Sequence, residues 1–204
     1  MSQVFDEKEI ERIFRGMKTT DETLNQVSFL NQVIPISRFV REKGFTRTLE
    51  VGLAVGGSAC GIIVGSGARH VAMDPHQKKI FGYFGLENLA DNGFGQNIEF
   101  YEVSSCVILP KLWRDSRRFE FIYIDGDHKF DSVLTDFYLA DLLLEIGGYV
   151  LLDDTWMPSV VRAVETILSQ RKGEYVLEKA LSPRSVLLKK LSVSRGKAAK
   201  AGIF

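Results

Sequence analysis

The chain has 204 residues, 45% of them hydrophobic, which is enough for one sizeable α/β core and too little for a second independent domain. Its 26 Lys and Arg balance 26 Asp and Glu, so no overall basic field recruits nucleic acid or an anionic membrane surface. The two cysteines, Cys60 and Cys106, lack the spacing of a zinc knuckle or a redox pair; both are expected to be small buried hydrophobes in a reducing compartment. The start, MSQVFDEKEIERIF, is charged where a signal peptide would be apolar, and no run approaches the roughly 18 apolar residues that span a bilayer, so a cytoplasmic protein is expected.

From Thr20 to Lys43, Leu24, Val27, Leu30, Ile34, Phe39 and Val40 recur at helical spacing, interrupted at Pro35 and stopped at Gly44. Residues 1–43 therefore read as a helical preface, and Phe5, Ile13 and Phe14 within it suit a lid over a pocket. After Gly44, short apolar runs alternate with longer amphipathic stretches, the signature of βαβ units. The runs are Arg47–Val51, His70–Met73, Ile98–Val103, Phe119–Ile124 and Tyr149–Leu152. Between the last two, Val133, Phe137, Ala140 and Leu144 share a helical face, with Gly147-Gly148 expected to end that helix. Two further runs, Tyr175–Leu181 and Ser185–Lys190, are joined only by Ser182-Pro183-Arg184, too short for a parallel crossover, so they form an antiparallel hairpin. The prediction is an α/β fold with a mostly parallel seven-stranded sheet, helices on both faces, a main domain over 44–191 and a loose tail over 192–204. Lys189-Lys190 reads as a solvated strand end, and His70 and His76 as structural or surface residues.

The first strand runs into Glu50-Val51-Gly52-Leu53-Ala54-Val55-Gly56-Gly57-Ser58 and then a helix. Glycines there permit a sharp turn and a close approach to a ligand, and the free amides at the helix start favour an anionic group. The spacing Gly-x-x-x-Gly omits the central glycine that admits a pyrophosphate, which weakens a dinucleotide reading. Asp74 ends the second strand, 22 residues after Gly52, where an acid accepts hydrogen bonds from ribose hydroxyls; a turn-forming role before Pro75 is the alternative.

Glu50-x-Gly52-x-x-x-Gly56-x-Ser58, Asp74, Ile124-Asp125-Gly126-Asp127-His128 and Gly147-Gly148-Tyr149-Val150-Leu151-Leu152-Asp153-Asp154 resemble class I S-adenosylmethionine-dependent methyltransferases. Within that class the pattern is most similar to the small-molecule O-methyltransferases that include the macrocin and antibiotic-sugar enzymes. The resemblance covers approximately Gly44 to Leu191 and is most specific from Asp125 to Asp154. It implies that Glu50, Gly52 and Ser58, with Gly56 in the same loop, serve the methionine part of the cofactor and Asp74 its ribose. Ser104 stands where many relatives carry an Asp near the adenine, so either it replaces that contact or the adenine end is held differently.

Asp125 ends the fourth strand and Asp153 and Asp154 the fifth, and ligand sites in open α/β sheets gather at the carboxyl ends of strands. Three oxygen ligands without cysteine suit a hard cation such as Mg²⁺, and the resemblance matches these three residues to the family's metal ligands; Asp125 is also expected beside the cofactor. Catechol-type relatives have Asn at the last position, so Asp154 points to the sugar-modifying branch. Adjacent strand residues point opposite ways, so Asp153 and Asp154 share one ion only if the chain bends there; otherwise these acids are strand-end caps. His128, three residues after Asp125, is the candidate base that removes an acceptor proton at neutral pH, and Asp127 is its rival. Trp156 and Met157 are candidates for an apolar wall of the acceptor pocket. The expected activity is Mg-dependent O-methylation of a small-molecule hydroxyl, sugar or phenol, by an enzyme with a homodimer as the prior for its assembly. A nicotinamide-dependent oxidoreductase and a non-catalytic nucleoside-binding module are the competing readings.

Overall fold

The computed structural model describes residues 7–19 and 26–193, with side chains from Leu30 onward in the second segment. Phe5, Leu24 and the side chain of Val27 lie outside the described residues, as does the tail after Val193. In chain order the elements are α1 (Glu7–Gly16), α2 (Gln26–Lys43), β1 (Arg47–Val51), α3 (Gly57–Ser66), β2 (Arg69–Met73), α4 (Phe84–Asp91), β3 (Ile98–Tyr101), α5 (Ser105–Arg114), β4 (Phe119–Ile124), α6 (Phe130–Asp141), β5 (Leu144–Leu152), α7 (Pro158–Gln170), β6 (Tyr175–Leu177) and β7 (Val186–Lys190). They form one seven-stranded sheet of order β3-β2-β1-β4-β5-β7-β6. The first five strands are parallel, and β7 pairs antiparallel with both β5 and β6. The predicted architecture is therefore present. The strand order turns back between β1 and β4, which is where an open α/β sheet leaves a crevice.

Alternation along the central strands decides what faces what. On β4, Ile122 and Ile124 join the core under α5, α6 and α7, whereas Phe121 and Tyr123 face α2 with Ile36, Val40 and Leu151. Both faces are covered, so the strand reads Phe-Glu-Phe-Ile-Tyr-Ile almost without polar residues. The same parity turns Asp125 and Asp153 toward the α2 side.

Four local expectations give way to packing. Pro35 lies inside α2 rather than breaking it, although it removes a backbone donor and crowds the preceding turn. The helix persists because Val33, Ile36 and Val40 are buried against α3; the helices approach so closely that a Cβ on Gly61 would come within 2.1 Å of Val33 Cγ1. Ile13 and Phe14 are not a lid: α1 packs them, with Ile10, into the core beside Leu53, Cys60 and Leu89, and each such burial contributes about 1.5–3 kcal/mol. Gly147-Gly148 does not end a helix. The helix α6 stops at Asp141, and both glycines lie within β5, where Gly147 at φ 86° accompanies a shift in the register between β4 and β5. Lys190 is not solvated: it is 3% exposed, and its Nζ meets Asp141 Oδ1 at 2.8 Å, the Asp141 carbonyl at 2.6 Å and the Leu144 carbonyl at 3.1 Å. Among the described residues, no helix is long and apolar enough to cross a membrane.

Candidate active site

The carboxyl ends of β1, β2 and β4 open into a cavity of about 870 Å³, the size range of cofactor sites. Its rim carries Gly52 and Ala54 after β1, Asp74 after β2, Ser104 before α5, and Asp125 to Lys129 after β4. Gly52, at φ 95°, lets β1 pass the β4 loop, because a Cβ there would lie 2.1 Å from the Asp125 carbonyl oxygen. Asp74 is 4% exposed and already bound on both oxygens: Oδ2 accepts from the amides of Leu53 (3.3 Å) and Ala54 (2.9 Å), and Oδ1 from that of His76 (2.8 Å). It thus fixes the glycine loop while bordering the cavity.

Glu50, Gly56 and Ser58 do not border the cavity. Glu50 faces the α3 side of β1, where it is 0% exposed and accepts from Ser58 Oγ at 2.8 Å, with His70 Nε2 3.4 Å away and His70 itself bonded to Thr48. Gly56, at φ 82°, caps α3 against the backbone of Gly85. In this geometry the three hold the loop in shape from beneath. Cys60 is buried as expected, its thiol pushed up to about 12 by burial and then by Glu50. Cys106 departs from the expectation: it is exposed on the cavity wall, because the first turn of α5 opens toward the ligand space.

The acids after β4 and β5 converge. Asp125, His128 and Asp154 offer ligand atoms that all lie within 4.8 Å of one another. His128 Nε2 stands 2.9 Å from Asp154 Oδ2 and 3.4 Å from Asp125 Oδ1. The hydrogen bond to Asp125, reinforced by the charges of Asp154 and Asp153, holds the imidazole above its ordinary value of 6.5. Asp154 has φ 52°, a left-handed conformation uncommon for a residue with a side chain; this is the bend that the alternation rule required if neighbouring aspartates were to share a site. Its Oδ1 also takes Arg184 and, at 2.7 Å, Trp156 Nε1.

Asp153 sits deeper, 5% exposed. One oxygen, Oδ2, accepts from Gln32 of α2 and from the Tyr123 hydroxyl, while Oδ1 is buried without a partner. Burial, and then the charge of Asp125, raises its carboxyl from 3.8 to about 6. Asp127 behaves differently. It is exposed and bonded to Lys129 Nζ and Ser132 Oγ, each at 3.0 Å, so its carboxyl is held below the ordinary range, chiefly by Lys129. Trp156 is 63% exposed beside this cluster, with the Arg184 guanidinium over its ring, while Met157 packs against the core.

Gln32, Tyr123, Asp136 and Arg184 belong to the site but escaped sequence reasoning. Gln32 and Arg184 come from outside the strand ends that carry the motifs, and no spacing rule links them to Asp153 and Asp154. Tyr123 was legible in principle, two residues before Asp125 and so on the same face of β4.

A family model described as a methyltransferase domain matches residues 49–155. The fold is shared with the O-methyltransferase TomG of Streptomyces achromogenes, involved in tomaymycin synthesis and crystallised with SAM, over 92% of this chain and 97% of that one (TM-score 0.67, 18% identity). An O-methyltransferase from Bacillus cereus in complex with SAH is similar over 94% of each chain (TM-score 0.67, 16% identity). An uncharacterized protein of Acanthamoeba polyphaga mimivirus, R132, is 33% identical over 85 residues, which span 39% of this chain and 38% of that relative. With more than half of its length matched by the domain model, the chain belongs to the methyltransferase family, in the Rossmann-like class that its strand-end motifs resemble.

Proposed function

We propose that this chain transfers the methyl group of S-adenosylmethionine to a hydroxyl oxygen of a small molecule, a sugar or a phenol, with a divalent cation, Mg²⁺ by ligand type, held by Asp125, Asp153 and Asp154. The observation that carries the reading is the convergence of Asp125, Asp154 and His128, two of which, Asp125 and His128, line a cofactor-sized cavity. The donor set fits a hard cation: the oxygens include the partnerless buried Oδ1 of Asp153, and the turned backbone of Asp154 aims its carboxyl at the group rather than away from it. When bound, such a cation supplies positive charge that acidifies an acceptor hydroxyl and orients it toward the donated methyl.

The remaining steps rest on the chain's own residues. Gln32 and Tyr123 anchor Oδ2 of Asp153 and leave Oδ1 without a partner. His128 is the base for the acceptor proton, standing beside these acids with its Nε2 2.9 Å from Asp154 Oδ2 and 3.4 Å from Asp125 Oδ1. Asp127 is the weaker rival because Lys129 stabilises its ionised form. Trp156 offers an exposed ring against which the acceptor can lie.

Calorimetry with S-adenosylmethionine and Mg²⁺, followed by a methylation screen over hydroxyl acceptors, tests the proposal. We expect cofactor binding, turnover abolished by chelation and restored by Mg²⁺, and a loss of about 10²–10⁴-fold in His128→Ala. A chain that binds no cofactor would end the reading, and turnover indifferent to chelator would remove the cation.

A further inference from the structure

The cavity contains an acid that the acceptor chemistry leaves unused. Asp136, in the second turn of α6, borders the cavity although it is only 4% exposed. Ser105, in the first turn of α5, stands beside its carboxyl and favours the ionised form, and Asp136 Oδ2 is so close behind the β4 loop that a Cβ on Gly126 would lie 3.4 Å from it. Burial raises the carboxyl to about 6, and no cation contributes to holding it down. A carboxylate accepts several hydrogen bonds, and a buried one with no more than a hydroxyl beside it retains unused acceptor capacity. Such a group beside a ligand cavity calls for a ligand donor.

The cofactor reading supplies one. If the transferred methyl faces Asp125 and His128, the base must occupy the part of the same cavity walled by Ser104, Ser105 and the first turns of α6. A purine with an exocyclic amine presents a two-hydrogen donor on its edge, whereas Ser104 offers one hydroxyl where an acid would be stronger. We propose that Asp136, oriented by Ser105, accepts the exocyclic amine of adenine and sets the preference of this enzyme for an aminopurine cofactor. The assignment rests on the cofactor reading above.

Isothermal titration of the full chain with S-adenosylhomocysteine and with its 6-deamino analogue, in which hydrogen replaces the amine, separates the two. The wild type is expected to favour S-adenosylhomocysteine by about tenfold or more, the worth of a hydrogen bond to a charged acceptor. Asp136→Leu, close in size, should weaken S-adenosylhomocysteine by the same factor, leave the analogue unchanged and bring the ratio near one. Asp136→Asn, whose carbonyl still accepts, should recover part of the preference. Wild-type affinities within twofold of each other would overturn the role of Asp136 alone and need no variant to be folded. An equal weakening of both ligands by Asp136→Leu would do the same, since it marks a purely structural carboxyl. Absence of S-adenosylhomocysteine binding by the wild type would instead bring down the cofactor reading, and this assignment with it.

Discussion

Asp141 and Asp153 are both buried aspartates beside β5, one near its start and one just past its end, and their surroundings are opposites. Asp141 is met by Lys190 Nζ at 2.8 Å, Arg171 at 3.3 Å and the Tyr175 hydroxyl at 2.7 Å, so its charge is neutralised and its oxygens are partnered. Asp153 has Asp125 and Asp154 as charged neighbours, only neutral donors on Oδ2, and nothing on Oδ1. One end of the strand uses an acid to tie the hairpin β6–β7 and α7 to the sheet. At the other end Arg184 and His128 meet Asp154, but Asp153 is left beside like charges with no cation of its own, a state that stability alone would not select and that a positively charged ligand would relieve.

The largest effect expected from this contrast is on stability. Asp141→Ala leaves the Lys190 ammonium buried without its counter-charge and should cost about 3–5 kcal/mol in urea unfolding. Asp153→Asn removes a repelled charge and keeps a hydrogen-bonding side chain, so it should cost less than about 1 kcal/mol or be stabilising. Comparable losses in the two variants would show that the two ends are not built differently.

The second effect separates the ends by pH. Asp153 (about 6 against 3.8) and His128 (above 6.5) both hold their protons more tightly folded than unfolded. Each therefore contributes stability that is fully present below its unfolded value and is lost as pH rises through its folded one. From pH 4 to 7, the stability of Asp153→Asn relative to wild type should rise by an amount on the order of 2 kcal/mol. A pH-independent difference in chemical unfolding between the two proteins would show that Asp153 does not titrate with folding.

The two ends also differ in how far they could be read from the chain. Asp125, Asp153 and Asp154 were legible because they follow apolar runs whose alternation already specified parallel strands, and strand ends in such a sheet meet by topology. Even the bend at Asp154 was foreseeable as a condition. Gln32 was not, since it reaches Asp153 across 121 positions from a helix whose pattern shows only its apolar face. At the other end, Lys190 read as solvated because a lysine pair looks like a surface, and only the hairpin's placement beside Asp141 buries its tip. Pro35 and Gly147-Gly148 misled for the same reason: local rules describe a lone segment, whereas contact with α3 and pairing with β4 decided the outcome. Glu50 and Ser58 were found by motif, but which side of β1 they occupy is a property of the packed sheet.

The smallest expected effect concerns Asp127, an acid close to the open end of the sheet that shares none of its strain. Its side chain is half exposed, and its partners Lys129 and Ser132 belong to its own loop and the start of α6. Exposed pairs of this kind contribute about 0.2–1 kcal/mol, so Asp127→Ala should shift unfolding by less than about 1 kcal/mol. Turnover at neutral pH should also stay near the wild-type value, because a carboxylate stabilised by Lys129 is a poor proton acceptor. A loss in Asp127→Ala as deep as that in His128→Ala would move the base from the histidine to the acid. It would also mean that the reactive proton leaves on the Lys129 side of the cavity, away from the partnerless oxygen of Asp153.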